Sequence, residues 1–431
     1  MDSMFCNFDN LFFYCSIPRI LFLDMNSFFA SVEQQENINL RNKPIAVVPV
    51  DSNGTSVISA SYEARAFGIK TGTMVSEAKI LCPNLKTVLA RPRVYVHYNK
   101  KIVETLHNFF VEINELSVDE MACLLPPSKR TDQEAVLLAK KVKQKIKLDV
   151  GDYMNCSIGI APNIFLAKVA SDFQKPDGLT LFTGDYKEKL FSLSLKDLPG
   201  IARQNEKRLR SCGIYSVKDL WEADLKRLRS VWGGTIGERW HYMLRGNLDI
   251  DYGNHFIGTQ KKSVSQSHVL PPRFRNLEGA RDMLLRITAK ALKRLRSYYQ
   301  LPKTVLCRIG FRHNESWSIK TNWDFAKSYQ VPANDDLCWF PMIYEAASKI
   351  KMDENFRPTK VSVVFVDLYS SKNQQTSFLE DRTRFSNLFY AIDKIKDKFD
   401  THVHIAQILH ILNEAPPRIS FGGTIKDEFW K

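Results

Sequence analysis

At 431 residues, with 44% hydrophobic and 25% charged side chains, the chain exceeds one small core and reads as a globular protein of roughly two to four domains. Its formal net charge of +14 is concentrated, since residues 201–300 hold 20 Lys/Arg against 9 Asp/Glu, which points to a polyanionic partner rather than a membrane surface. No run of about 18 apolar residues predicts a membrane-spanning helix, and the eight cysteines form no C-x-x-C pair, which argues against zinc and for a reducing compartment.

The stretch 1–19 is aromatic-rich, carries Asp2 and Asp9 and lacks a basic start, so it reads as an extension rather than a signal peptide. An apolar run at 20–23, ending in Asp24, predicts a buried strand, and 26–36 a helix. Strands follow at 43–48 and 56–60, then a short helix at 62–67 closed by Gly68. Helical spacing runs over 95–114, and residues 115–125 (ELSVDEMACLL) are an apolar run broken by two adjacent acids. A Lys-rich amphipathic helix at 132–147, a strand at 156–160 and a helix at 164–171 complete an alternation that predicts α/β or α+β structure over 20–185. From 196 to 247 the texture turns helical, with a helix, a Pro-Gly turn and a basic helix in DLPGIARQNEKRLRSCGI. Residues 261–270 alternate and place Ser263, Ser265 and Ser267 on one strand face. A basic helix at 277–299, strands at 304–312 and 317–323, a helix at 335–351 and a strand at 360–368 follow. Their order is β-α-β-β-α-β, the ferredoxin-like split pattern. A basic helix at 385–399 precedes a tail in which His402 and His404 read as surface positions.

Three acids, Asp24, Asp119 and Glu120, stand inside apolar strands with no basic neighbour in their own runs. A carboxylate buried alone costs several kcal/mol. Either Arg or Lys from elsewhere in the chain meets these acids, or a metal ion does. Hard oxygen ligands at strand ends suit Mg²⁺, which shares itself with substrate phosphates. Two such ions can activate an attacking hydroxyl and stabilise a leaving pyrophosphate. The three acids alone leave both readings open.

Context separates them. LFLDMNSFFASVEQ, SASYEARAFGIKTGTMVSEAKILCPNL, LSVDEMACLL and SIGIAPNIFLAKVASDFQKPDGL occur in that order. They resemble the four core motifs of Y-family DNA polymerases, the lesion-bypass enzymes of the DinB/UmuC type, and the resemblance runs from about residue 20 to 370. It implies an α+β multidomain, right-hand polymerase. The palm would be 20–32 and 93–190, the fingers 33–92, a helix-hairpin-helix thumb 191–250 and a ferredoxin-like little finger 258–370, with 371–431 as a C-terminal tail.

The resemblance also implies roles. Asp24, Asp119 and Glu120 would hold two Mg²⁺ ions, helped by the backbone carbonyl of Met25, with Glu120 completing the site where the primer 3′-hydroxyl loses its proton. Phe29 would be the steric gate under the nucleotide sugar, where a ring leaves no room for a 2′-hydroxyl. Ser59, Tyr62, Arg65 and Lys175 would contact the triphosphate of the incoming dNTP. Gly200 and Ala202 of the LPGIA turn, with Lys261 and Lys262, would meet the backbone of primer-template DNA. Ala202 stands where the family commonly has Gly, which keeps an N–H but makes positive φ costly. Gln266 stands where many relatives have an acid. Gln375, Phe378 and Leu379, in QTSFL, resemble a sliding-clamp-binding peptide. Such a chain is expected in the bacterial cytoplasm, at the nucleoid, as a monomer or within a mutasome complex. Contacts to backbone rather than bases predict strong salt dependence and little sequence preference. A polymerase-shaped scaffold without activity is the alternative, and loss of the acids would mark it.

Overall fold

A computed structural model describes residues 17–247, 262–316, 318–371 and 383–398. Lys261, Gln375, Phe378, Leu379, His402, His404 and most of the 1–19 extension lie outside the described residues. The described residues form two compact units, one over 17–247 and one from 262 to 398.

In the first unit β1 (Ile20–Met25) is the middle strand of a five-stranded sheet. It pairs antiparallel with β6 (Glu120–Leu124) on one side and β7 (Cys156–Ala161) on the other. β5 (Ile113–Glu115) and β8 (Leu179–Leu181) form the edges. All six residues of β1 are buried because both sheet faces are covered, which is why its sequence is a continuous apolar run. Period-two alternation splits them: Leu21, Leu23 and Met25 enter one core with Tyr95, Ile102, Val142 and Ile146, while Ile20 and Phe22 enter a second with Phe165, Leu166 and Val169. Asp24 falls on the Ile20 and Phe22 side.

Most of the expected elements form, with shifted ends. The helix beginning at residue 26 is α1 (Phe28–Glu36), entered through Ser27 in a left-handed conformation. β2 (Ile45–Val48) pairs with the two-residue β3 (Ser59–Ala60) and, parallel, with β4 (Lys86–Leu89). With α2 (Tyr62–Arg65) and α3 (Val75–Leu81) they enclose a small separate core around Ala46, Val57, Ile69 and Ala78. The helix expected over 95–114 is α4 (Pro92–His107), and its last residues belong instead to β5. α5 (Asp132–Asp149) starts at Thr131, whose side chain accepts from Glu134 N–H. α6 (Ile164–Phe173) packs on the sheet and is followed by α7 (Lys187–Phe191). The element expected before the Pro-Gly turn is only a 3₁₀ turn, Leu195–Asp197. After it come α8 (Arg203–Ser211), α9 (Val217–Glu222), α10 (Leu225–Trp232) and α11 (Thr235–Leu244).

The second unit follows the expected order: β9 (Ser263–Val269), α12 (Leu277–Ser297), β10 (Gln300–His313), β11 (Lys320–Ser328), α13 (Asp336–Ser348) and β12 (Phe356–Ser370). The antiparallel sheet runs β11-β10-β12-β9, so each β-α-β pair is split by a strand of the other. β11 starts three residues later than the strand expected at 317–323, because the hairpin turn extends to Ile319, whose carbonyl accepts from His313 N–H. In β9 Val264 and His268 are buried and Ser263, Ser265 and Ser267 exposed, as the alternation predicts. The last described element, α14 (Thr383–Lys398), docks on this unit through buried Phe389 and Asp393. No described helix is long and apolar enough to cross a membrane.

Candidate active site

Asp24 and Glu120 are brought together by sheet register, being direct partners across β1 and β6. Asp119 is not inside a strand. It closes the turn of the β5–β6 hairpin, and its carbonyl oxygen accepts from Met25 N–H at 2.8 Å, which ties that turn to the end of β1. The Ser117 hydroxyl donates to Asp119 Oδ1 at 2.6 Å. The Asp119 carboxyl is raised to about 6: burial is the largest cause, the charges of Asp24 and Glu120 add to it, and the Ser117 bond and the Lys168 charge work against it.

Bases do reach these acids from elsewhere, Lys168 and Lys175. Lys168 on α6 places Nζ 2.5 Å from Asp24 Oδ2 and 2.8 Å from Glu120 Oε1, and 3.1 Å from Asp172 one turn further on. Lys175 sits 2.7 Å from Asp24 Oδ1 and 2.6 Å from Asp172 Oδ1. Burial works against the Lys168 charge, but the carboxylates of Asp24, Glu120 and Asp172 outweigh it and favour the ammonium. The turn carrying Lys175 is pinned by Asn26, whose Oδ1 accepts from Asp177 N–H at 2.8 Å and whose Nδ2 donates to Ser157 at 2.9 Å. Lys168 and Asp172 stand in the same motif as Lys175, SIGIAPNIFLAKVASDFQKPDGL, and are spaced four residues apart on one helix face.

As the side chains stand, no three His, Cys, Asp or Glu among the described residues surround a single point. The donor set nevertheless suits a hard cation: Asp24 and Glu120 already share one positive group, the Lys168 ammonium, and Asp119 adjoins them.

Tyr62, Arg65 and Ser59 lie on β3 and α2. The buried Tyr62 hydroxyl makes no hydrogen bond of good geometry. Burial raises the phenol's pKa, while the charges of Arg65 and Lys175 lower it, and the Arg65 guanidinium lies 5.2 Å from the Tyr62 ring centroid. Ser59 is buried and donates to the Ser27 carbonyl at 3.3 Å, bracing the first turn of α1. Phe29, also buried, stacks on Tyr95 with ring centroids 4.4 Å apart.

Gly200 and Ala202 lie apart, at the start of α8. Gly200 carries the positive φ, at 92°, while Ala202 sits at φ −88° and ψ 178°. The alanine therefore meets no strain. It caps α8 without a side-chain acceptor, which leaves first-turn N–H groups for an outside acceptor such as a phosphate. Lys262 is exposed at the start of the second unit.

Comparison with known proteins agrees with this architecture. Residues 23–172 match the impB/mucB/samB family, 196–249 the DNA polymerase-iota thumb domain, and 261–378 the impB/mucB/samB family C-terminal domain. DNA polymerase IV of Pelotomaculum thermopropionicum is 29% identical over 392 residues, covering 89% of this chain and 93% of the relative. DNA polymerase IV of Moorella thermoacetica is 32% identical over 296 residues, covering 66% of this chain and 71% of the relative. Among solved structures, a Y-family DNA polymerase chimera, Dbh-Dpo4(243-245)-Dbh, superposes with a TM-score of 0.68 at 20% identity, covering 82% of this chain and 99% of that one. The insertion ternary complex of Dbh DNA polymerase gives 0.53 at 21% identity, with the same coverage. The fold is that of a right-hand polymerase with an added C-terminal sheet domain. The chain belongs to the impB/mucB/samB family, the DinB-type Y-family DNA polymerases.

Proposed function

We propose that Asp24, Asp119 and Glu120 are the acids through which this chain, a template-directed DNA polymerase of the error-prone, lesion-bypassing type, joins deoxynucleoside triphosphates to a primer 3′ end. The observation that carries this reading is the convergence of Asp24, Glu120 and Asp119 where β1 and the β5–β6 hairpin meet, under the Lys168 ammonium.

In the reaction the primer 3′-oxygen attacks the α-phosphorus of the dNTP, a P–O bond forms and pyrophosphate departs. Family membership implies dependence on a divalent metal; two Mg²⁺ ions held by the three carboxylates and the Met25 carbonyl would supply Lewis-acid activation of that oxygen and charge neutralisation. Glu120 would complete the site where the primer 3′-hydroxyl loses its proton. Arg65, Tyr62, Ser59 and Lys175 hold and orient the triphosphate, with Arg65 offering a paired contact. Phe29 excludes a 2′-hydroxyl. Gly200, Ala202, Lys261 and Lys262 grip the sugar-phosphate backbone, which suits an enzyme that must accept any template. Gln375, Phe378 and Leu379 would bind a sliding clamp, and the chain would work in the cytoplasm at the nucleoid, as a monomer or within a mutasome. The domain limits given above belong to the same reading.

Primer extension with Mg²⁺ tests it. Asp119→Ala lowers incorporation at least about 1,000-fold while primer-template binding is kept. Equal activity in mutant and wild type would sink the assignment.

A further inference from the structure

Phe29 and Glu33 lie four residues apart on α1 and so share one helix face. Both grip the same residue of α4. The Phe29 ring stacks on the Tyr95 ring at 4.4 Å and 19°. The Tyr95 hydroxyl donates to Glu33 Oε1 at 2.7 Å. Arg91, four residues before Tyr95, donates from Nε to both Glu33 oxygens at 3.1 Å and from Nη2 to Oε2 at 2.6 Å. Glu33 is 2% exposed, Tyr95 1% and Phe29 4%. The same two helices are joined again one turn along, where the Tyr98 hydroxyl donates to Glu36 Oε1 at 2.6 Å.

Helix packing alone would be served by apolar residues, and a buried ion pair is weak evidence for stability. What the carboxylate adds is direction. Two stacked rings can slide across one another at little cost, because the contact is broad and shallow. A hydroxyl held by a charged, doubly anchored acceptor removes that freedom. Burial and the neighbouring Glu33 charge push the Tyr95 phenol far above its ordinary pKa, so it remains a donor.

We propose that the Glu33–Arg91 pair is a positioning element for sugar selection: it fixes the Tyr95 ring, and Tyr95 fixes how closely Phe29 approaches the sugar of the incoming nucleotide. Glu33 and Arg91 touch no substrate in this scheme and act through Tyr95. The proposal rests on Phe29 being the gate.

The test is the ratio of kcat/KM for a ribonucleotide to that for the matching deoxynucleotide, on undamaged template. Tyr95→Phe deletes one hydroxyl and keeps the ring; Arg91→Met removes the anchor at a half-exposed position. Each raises the ratio roughly three- to tenfold, the scale of one lost hydrogen bond, and less than Phe29→Ala does. In the Phe29→Ala background Tyr95→Phe adds nothing, because its route runs through the missing ring. A structural role alone moves the thermal midpoint and leaves the ratio where it was. If Phe29→Ala relaxes selection while Tyr95→Phe and Arg91→Met match wild type, the positioning proposal is overturned and the gate stands. If Phe29→Ala itself leaves the ratio unchanged, the gate reading fails and this proposal with it.

Discussion

Gly159 allows α6 to lie close on β7. A Cβ there would come within 2.0 Å of the Ala167 carbonyl oxygen and 2.4 Å of Ser171 N, both backbone atoms of α6, so the helix itself would have to move. That helix carries Lys168 and Asp172 against the acid cluster. Gly159→Ala therefore costs stability, about 2 kcal/mol or more, and lowers activity by displacing Lys168. Urea unfolding followed by circular dichroism reads the first effect. A midpoint equal to wild type would mean that α6 can lift away freely. Single residues also show where local reading stops. Phe29, Tyr62 and Lys175 could be nominated because each stands at a motif position to which the family resemblance attaches a role. Lys168 is 144 positions from Asp24, and only the sheet brings the two together. Glu33 and Tyr95 are 62 apart and meet only because α1 packs on α4. The concern that Ala202 would strain the hairpin dissolves because the neighbouring Gly200 takes the positive φ.

At the scale of elements, the sequence misled where two short pieces fold back on each other. The run 115–125 looked like one interrupted strand, whereas it holds the end of β5, a turn and β6, and so puts Asp119 at a hairpin tip. Long amphipathic helices such as α5 and α12 were read nearly whole, since periodicity over many residues outweighs noise at the ends. The docking of α14 could not be read from pattern, because its anchor is a buried ionic cluster. Arg296, 2% exposed, donates to Asp336 Oδ1 at 2.9 Å, to Asp393 Oδ2 at 2.6 Å and to the Asn334 carbonyl oxygen at 2.6 Å. Burial works against the Arg296 charge, and the two carboxylates outweigh it. α14 lies beyond the residues matched by the family C-terminal domain, which end at 378. It is nevertheless part of the second unit's core, with Phe389 buried and Tyr390 donating to the Arg296 carbonyl at 2.9 Å. Asp393→Ala leaves a buried guanidinium short of one partner and should destabilise this unit by about 3 kcal/mol, within the range for breaking a buried pair. Hydrogen exchange localises the effect, with faster exchange expected in both α12 and α14. Unchanged exchange in α14 would show that it docks without the pair.

For the whole molecule, charge is the property that both units bring to a polyanionic partner. The surplus is unevenly spread: residues 260–300 hold 10 Lys/Arg against 2 Asp/Glu, and residues 201–259 hold 10 against 7. In the helical segment several cations are also engaged, as in Lys196–Glu206, Arg210–Glu206 and Lys218–Glu222. An ion-paired cation releases fewer counterions when it meets a phosphate, since its charge is already partly neutralised. Lys262, exposed just before β9, should therefore contribute more to the salt dependence of DNA binding than the ion-paired Lys218 of α9 does. Anisotropy titrations of a primer-template duplex from about 50 to about 300 mM KCl should give a log–log slope steeper than about −4, and Lys262→Gln should reduce its magnitude by about 0.9. Lys218→Gln, which removes a cation held 3.8 Å from Glu222, should change the slope by clearly less. If the two substitutions flatten the slope equally, the grip on the polyanion is shared evenly. If neither does, the basic surplus serves solubility, and binding must rest on uncharged donors such as the first-turn N–H groups of α8.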